Sequence, residues 1–347
     1  MNKKSITIEE TKTHTVHQWD FPKLMGAHKQ LTSYDYKKQK IDRGYANRSI
    51  HINLSSGKIK EKKVTKEMKE LFIGGRGFGL KLLWDEIKPS TRWDSDENEL
   101  IITTGPLCGA TQYAGSGKSI CLTVSPATDI ICDSNVGGFF GPYLKFSGFD
   151  SLEIQGKAKE DVVVVIDGVT GKVSVETAPL EEHNSHLLAE QLTYMYAKED
   201  TDKARQQVSV VSAGKGAENS YWGMLNFSFY DVRRKVPRVK QAGRGGLGSV
   251  LRDKNIKAIV VIAPFTKPIW HVSSGQQLAN IVDKKDVDLA KVDNIINKWN
   301  ADSTFVIEMF QDIQETFQHI PMKALDRVAE KTNVPPGQLF HIASFYK

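Results

Sequence analysis

The sequence predicts an α+β fold, with a sheet-rich first domain followed by a small all-α domain. Three observations carry this. Short runs rich in Val, Ile and aromatic residues recur from Ile50 to Ile262, separated by turns rich in Gly and Ser. One clear helical period, HLLAEQLTYMYAKE (186–199), interrupts the later runs, so a regularly alternating βαβ array is not expected. Beyond Pro264 the apolar spacing becomes helical almost throughout.

Taken in order, residues 1–47 are polar, Lys-rich and without sustained periodicity, and read as an extended arm that orders on a partner. From Arg48, the alternation RSIHINL followed by SSGKIKEKKV predicts a β-hairpin turning at Ser55 to Gly57. Thr65 opens a helix that stops at Gly74, and a second helix begins near Phe78 with Leu80, Leu83 and Trp84 on one face. Strands follow at ELIITTG, SICLTVS, SLEIQGKA, the hairpin DVVVVIDGVTGKVSVETA, QVSVVSAG, YWGMLNFSFYD and IKAIVVIA. Residues 264–273 read as a linker. In 274–347, three helical repeats predict three or four short packed helices: Val306, Met309, Ile313 and Phe317; Leu325, Val328 and Ala329; Leu339, Ile342 and Ala343.

Composition excludes several function classes. No run approaches the roughly 18 apolar residues that span a bilayer, and Met1 to Asp20 lacks an apolar signal core, so a cytoplasmic protein without membrane insertion is expected. The net charge of +6 is spread over three Lys/Arg clusters without an aromatic-interleaved stripe, so nucleic acid is not an expected partner. Cys108, Cys121 and Cys132 form no C-x-x-C pair and read as small buried hydrophobes; iron–sulfur ligation generally needs four thiolates. His51, His183 and His341 stand singly, so no metal ligation by them is expected.

The richest stretch runs from Gly115 to Ala158, where a Gly-rich loop carrying Lys118 leads into a strand and a second Gly-rich loop. Gly115, Gly117, Gly137, Gly138 and Gly141 would let the main chain approach a bulky phosphorylated ligand; the alternative is a set of tight turns. QYAGSGKS nearly matches a nucleotide phosphate loop, but Gln112 replaces its first Gly and a strand follows where a helix is required. Gly243, Gly245 and Gly248 satisfy GxGxxG, which alone is weak, and no strand–turn–helix unit is evident around them.

Four segments in order, GGRGFGLKLLWDEI (74–87), NELIITTGPLCG (98–109), SNVGGFFGPYLKFSGFD (134–150) and AGRGGLGSVLRDKNIKAIVV (242–261), resemble the N-terminal domain of tungsten-containing aldehyde ferredoxin oxidoreductases. The resemblance runs from about Arg48 to Ala263. It implies a two-sheet base on which two pterin dithiolene cofactors lie. It places Lys118 where the family usually has a phosphate-side Arg, Asn135 at a pterin-contacting Asn, and Arg244 at the second phosphate-side Arg. Around these, Gly117, Ser134, Gly137, Gly138, Ala242, Gly243, Gly245 and Gly246 complete the expected cofactor surface, with Arg76 and Gly77 from the GGRGFG segment. A helix corner is an equal alternative for that last segment. For Arg244 the alternative is a salt bridge to Asp231 or Asp253, and for Asn135 an Asx-turn opening a loop. Lys118 offers a point charge in place of a bidentate fork.

VIEMFQDIQETFQHIPMKALDRVAEKTNVPPGQLFHIASFYK (306–347) is similar to the helical N-terminal part of the small, thioredoxin-like subunit of NADH dehydrogenases, a family that continues into a [2Fe–2S] domain. Together the resemblances imply a subunit of a tungsten or molybdenum bis-pyranopterin oxidoreductase oxidising aldehydes to carboxylates, with a benzoyl-CoA-reductase type as a variant. Its catalytic residues are not assigned, and a complete active site is not expected here. The implied partners are a redox subunit carrying a [4Fe–4S] cluster and the substrate domains, a flavin- and iron–sulfur-containing NADH dehydrogenase-like subunit, and ferredoxin. The alternative is a non-catalytic assembly or adaptor subunit that has lost both redox centres.

Overall fold

The computed structural model describes residues 19–109, 116–264, 287–317 and 320–345. The chain divides into two compact units, Met1–Ile269 and Trp270–Lys347.

The first unit is built on two mixed sheets. The six-stranded sheet has the order β3-β2-β7-β4-β5-β6, formed by β2 (Arg48–Asn53), β3 (Lys58–Lys63), β4 (Leu100–Thr103), β5 (Ser119–Val124), β6 (Ile131–Val136) and β7 (Ser151–Gln155). The seven-stranded sheet has the order β1-β9-β8-β13-β10-β11-β12. Its strands are β1 (Gln30–Asp35), β8 (Val162–Asp167), β9 (Lys172–Thr177), β10 (Val208–Ser212), β11 (Leu225–Asp231), β12 (Val236–Ala242) and β13 (Ile256–Ile262). Only β2–β7 and β8–β13 pair in parallel.

The period-2 alternation of the strands fixes the layers. Ile50, Ile52, Leu152 and Ile154 from one sheet share a core with Val162, Val164, Ile259 and Val261 from the other. Val163, Val165, Val208, Val210 and Val260 point the opposite way and are covered by Leu188 and Leu192 of α5 (Ser185–Tyr196). The outer face of the six-stranded sheet, Ile101 and Leu122, is covered by α2 (Lys66–Phe72) and α3 (Arg76–Glu86). Strands such as VVVVI therefore read as continuous apolar runs because both of their faces are buried, each such side chain contributing about 1.5–3 kcal/mol.

Three expectations are corrected. Residues 1–18 of the expected arm lie outside the described residues, but the rest of it is ordered within this chain. Helix α1 (Phe21–Ala27) is capped by Asp20, and β1 adds to β9 as an antiparallel edge strand. It is exposed at four of its six positions and fully buried at none, so it gave no core signal. Helix α3 starts at Arg76 and buries Phe78, Gly79, Leu82 and Leu83, whereas Leu80 and Trp84 are 39% and 74% exposed. Gly79 decides the face, since a Cβ there would lie 2.1 Å from Leu122 Cδ1. The third is the loop around Gly243, Gly245 and Gly248, which does stand between a strand, β12, and a helix, α7 (Leu247–Asp253). Pairing through β11 and β10 makes β12 antiparallel to β13, so this is no parallel nucleotide-binding unit. Two further short helices are α4 (Phe140–Phe146) and α6 (Asp202–Arg205).

The expected linker falls mostly on residues 265–286, outside the described residues. The second unit contains α8 (Leu289–Lys298), α9 (Val306–Phe317), α10 (Met322–Thr332) and α11 (Pro336–Phe345). Val292, Ile296, Val306, Met309, Ile313, Leu325, Val328 and Leu339 form its core. Outside that core the Arg327 guanidinium grips both carboxylate oxygens of Asp293 at 2.7 and 2.9 Å, fastening α10 to α8.

Candidate functional site

The β5–β6 hairpin organises the region. Its register sets Ser119 opposite Val136, so the residues just outside it, Gly117–Lys118 and Gly137–Gly138, meet at its open end. The approach is close: a Cβ on Gly117 would lie 2.4 Å from the Gly138 carbonyl oxygen. β6 is the edge of its sheet, so its outer backbone groups are not taken up by a neighbouring strand.

Alternation along β6 splits its side chains between two faces. Asp133 and Asn135 lie on the α3 side, where Asp133 Oδ2 accepts a hydrogen bond from Arg76 Nη2 at 2.8 Å. Cys132 and Ser134 lie on the other, where the buried Ser134 Oγ accepts from the Arg244 backbone N–H at 3.1 Å. The turn 243–246 is pressed onto that face. Gly245 has φ +74°, and a Cβ there would stand 2.5 Å from Cys132 Sγ. Ala242 is buried at the end of β12 and launches the turn, while Gly246 in the left-handed region starts α7.

Nearly all of the expected residues thus converge on positions 132–138, along one edge strand and just beyond its end, a length of about 20 Å. The exception is Gly77: a Cβ there would meet the Phe72 carbonyl at 2.4 Å, so its requirement is the close turn from α2 into α3. Gly115 lies outside the described residues. The bland readings of Arg244 fail, because Asp231 is taken by Arg234 and Arg238, and Asp253 by Lys157. Asn135 sits inside a strand opposite Ile120, so it does not open an Asx-turn. Asp133, which orients Arg76, was missed by sequence reasoning; the alternation of CDSN along a strand was the signal available.

Electrostatically the edge is an anion-accepting surface. Lys118 and Arg244 are exposed and form no ion pair with the described residues, and Gly137, Gly138 and Gly243 face open space. Burial pushes the Cys132 thiol up from its usual range, Asp133 adds to this and Arg244 opposes it, so the thiol is not poised as a nucleophile. Cys108 is wholly buried and its thiol is pushed up to about 12; Cys121 is also buried and its thiol raised. A cleft of about 860 Å³ beside Trp93 and Tyr221 holds none of the expected residues, and its Arg252 is already paired with Asp161 and Glu218.

Residues 49–263 match the family described as aldehyde ferredoxin oxidoreductase, N-terminal domain, and residues 292–347 match thioredoxin-like [2Fe-2S] ferredoxin. The chain is similar to tungsten-containing aldehyde ferredoxin oxidoreductases of Pyrococcus horikoshii, 37% identical over 63% of this chain, and Pyrococcus furiosus, 34% identical over 65%. It is also similar to the WOR-like subunit of an aliphatic sulfonate oxidoreductase of P. furiosus, 30% identical over 62%. It spans about a third of the length of these curated relatives: 33%, 34% and 34%. A solved structure, the active site complex BamBC of benzoyl coenzyme A reductase with 1,5-dienoyl-CoA, matches with a TM-score of 0.54 and 29% identity, covering 63% of this chain and 31% of that one.

Proposed function

The chain belongs to the aldehyde ferredoxin oxidoreductase family through its N-terminal domain, and from this premise we propose that it is a subunit of a tungsten or molybdenum bis-pterin oxidoreductase. In this reading, residues 48–263 supply one face of the pterin site. The observation that carries it is the convergence of Lys118, Asn135 and Arg244 with open glycine backbone on the β6 edge. The donor set fits a phosphorylated, hydrogen-bonding heterocycle. Arg244 offers a planar fork for phosphate, held in place through its own backbone bond to Ser134. Lys118 offers a second, less directional charge. Asn135 offers both a carbonyl and an amide to a ring edge. Arg76 is fixed by Asp133 and adds a donor on the α3 side.

The bound metal–pterin group would supply two-electron redox chemistry, and the protein's part is to bind, orient and shield it. The reaction proposed is oxidation of an aldehyde to a carboxylate, with reduction of a thioester-linked aromatic acid as the variant. A partner chain is proposed to carry the [4Fe–4S] cluster and the substrate pocket. The three cysteines here support that division, since two are fully buried and the third lies under Gly245. The helical region 274–347 is proposed to dock a flavin- and iron–sulfur-containing subunit of the NADH dehydrogenase type, delivering electrons to ferredoxin or NAD. No cysteine occurs in the matched stretch 292–347, which therefore offers no thiolate of its own. That same observation, with Lys for Arg at 118, favours the second reading, an adaptor subunit that binds intact redox partners.

Elemental analysis for W, Mo and Fe, with pterin fluorescence after oxidation, on the chain alone and with its co-purifying partners, separates the two. Metal and pterin in complexes containing the chain support the cofactor-binding subunit. Their absence from every such complex leaves the adaptor.

A further inference from the structure

On the helix-covered face of the six-stranded sheet, two to five strands from β6, ionisable side chains occupy positions where apolar ones belong. The register assembles them. His51 on β2 lies opposite Glu153 on β7, and Glu153 lies opposite Ile101 on β4, so Glu99, two residues before Ile101, projects from the same face. Lys62 on β3 lies opposite Ser49, two residues before His51. Glu86 enters from the last turn of α3.

Part of this cluster is internally satisfied. Lys62 Nζ pairs with Glu86 Oε1 at 2.8 Å and with Glu153 Oε2, and Ser49 Oγ donates to Glu153 Oε1. The rest is not. Glu99 is 0% and His51 4% exposed, and His51 Nε2 stands 3.2 Å from Glu99 Oε1. That approach is not aligned as a hydrogen bond, and His51 Nδ1 and Glu99 Oε2 have no hydrogen-bond partner among the described residues either. Native interiors rarely leave such atoms unmet, which points to a missing ligand between them.

We infer that His51, Glu86 and Glu99 form a binding site for a divalent transition-metal ion. Each offers one ligand atom, and these atoms lie within 4.8 Å of one another, as three donors around a common centre require. One imidazole with two carboxylates suits Zn²⁺ or Fe²⁺ better than Mg²⁺ or Ca²⁺, which take oxygen ligands. The expectation that His51 stands alone is thus replaced: its companions come from β4 and α3, distant in sequence. The ion would tie the C-terminal end of α3 to the sheet and so hold the helix whose first residue is Arg76.

The test uses the full chain, stripped with a chelator. Zn²⁺ titration by calorimetry should show one tight site, and Co²⁺ should give the visible d–d bands of a nitrogen- and oxygen-ligated ion. His51→Asn and Glu99→Gln should abolish uptake. Glu86→Gln, at the half-exposed end of α3, should fold normally and weaken Zn²⁺ by at least about tenfold. Failure of the folded chain to take up Zn²⁺ or Co²⁺ overturns the assignment, as does uptake that survives both His51→Asn and Glu86→Gln. Tungsten and pterin are not read out, so the result stands apart from the proposed function.

Discussion

Replacing Asp150 by Asn should destabilise the first unit severely, because Asp150 anchors α4, the helix that follows the Gly137–Gly138 loop. Its carboxylate is fully buried, pairs with the equally buried Lys145 ammonium, and accepts the backbone N–H groups of Ala46 and Asn47 at 3.0 and 2.8 Å. Lys145 also donates to the Gly44 carbonyl. Asn keeps the shape but removes the charge opposite Lys145, and it turns an NH₂ toward one of two N–H donors. An uncompensated buried charge of this kind costs about 3–5 kcal/mol. At about 2–4 °C per kcal/mol for a unit of this size, the melting temperature should fall by roughly 6–20 °C. Lys145→Met should cost a similar amount by stranding the carboxylate, and the double variant should recover part of it. It should not recover all, because one of the Ala46 and Asn47 N–H groups still loses its acceptor. Calorimetric melting of the four proteins gives the coupling directly. A loss under about 1 kcal/mol for Asp150→Asn, or strict additivity, would refute the reasoning.

The exposed, unpaired side chain of Arg244 gives the opposite profile: Arg244→Ala should leave stability within about 0.5 kcal/mol of wild type while lowering pterin content, with Arg244→Lys intermediate. Unchanged pterin content in a cofactor-bearing complex would count against the β6 edge. His28 opposes burial through hydrogen bonds to Glu176 and Glu181, which raise it to about 9. Its contribution of up to about 3 kcal/mol should therefore be fully present below about pH 6.5 and lost as pH rises through 9. Urea unfolding of wild type against His28→Gln across that range should converge at high pH. In the second unit, Ile313→Ala removes a fully buried side chain and should cost about 2–5 kcal/mol, seen as faster hydrogen exchange confined to residues 287–345.

Local pattern determined much of this protein. The hairpin at 48–63, the cap at Thr65, the all-apolar strands and the spacing of Val306, Met309 and Ile313 follow from period and turn chemistry, which neighbouring residues settle among themselves. Lys118, Asn135 and Arg244 were singled out because the four segments around them resemble a known family, with the Gly-rich composition beside Lys118 and Arg244 as the local signal. What sequence could not supply were the relations that only register and layer order create. Strand β1 pairs across some 140 residues, α3 turns its Gly79 face inward because Leu122 is there, and Arg244 meets Ser134 from another sheet. His51 reads as a lone histidine until β4 and α3 bring Glu99 and Glu86 beside it. Sequence settles which side chains are available and the local path of the backbone, but the meeting of distant groups is decided by strand pairing and by burial of opposite sheet faces, and that is what brings the residues of both proposed sites together.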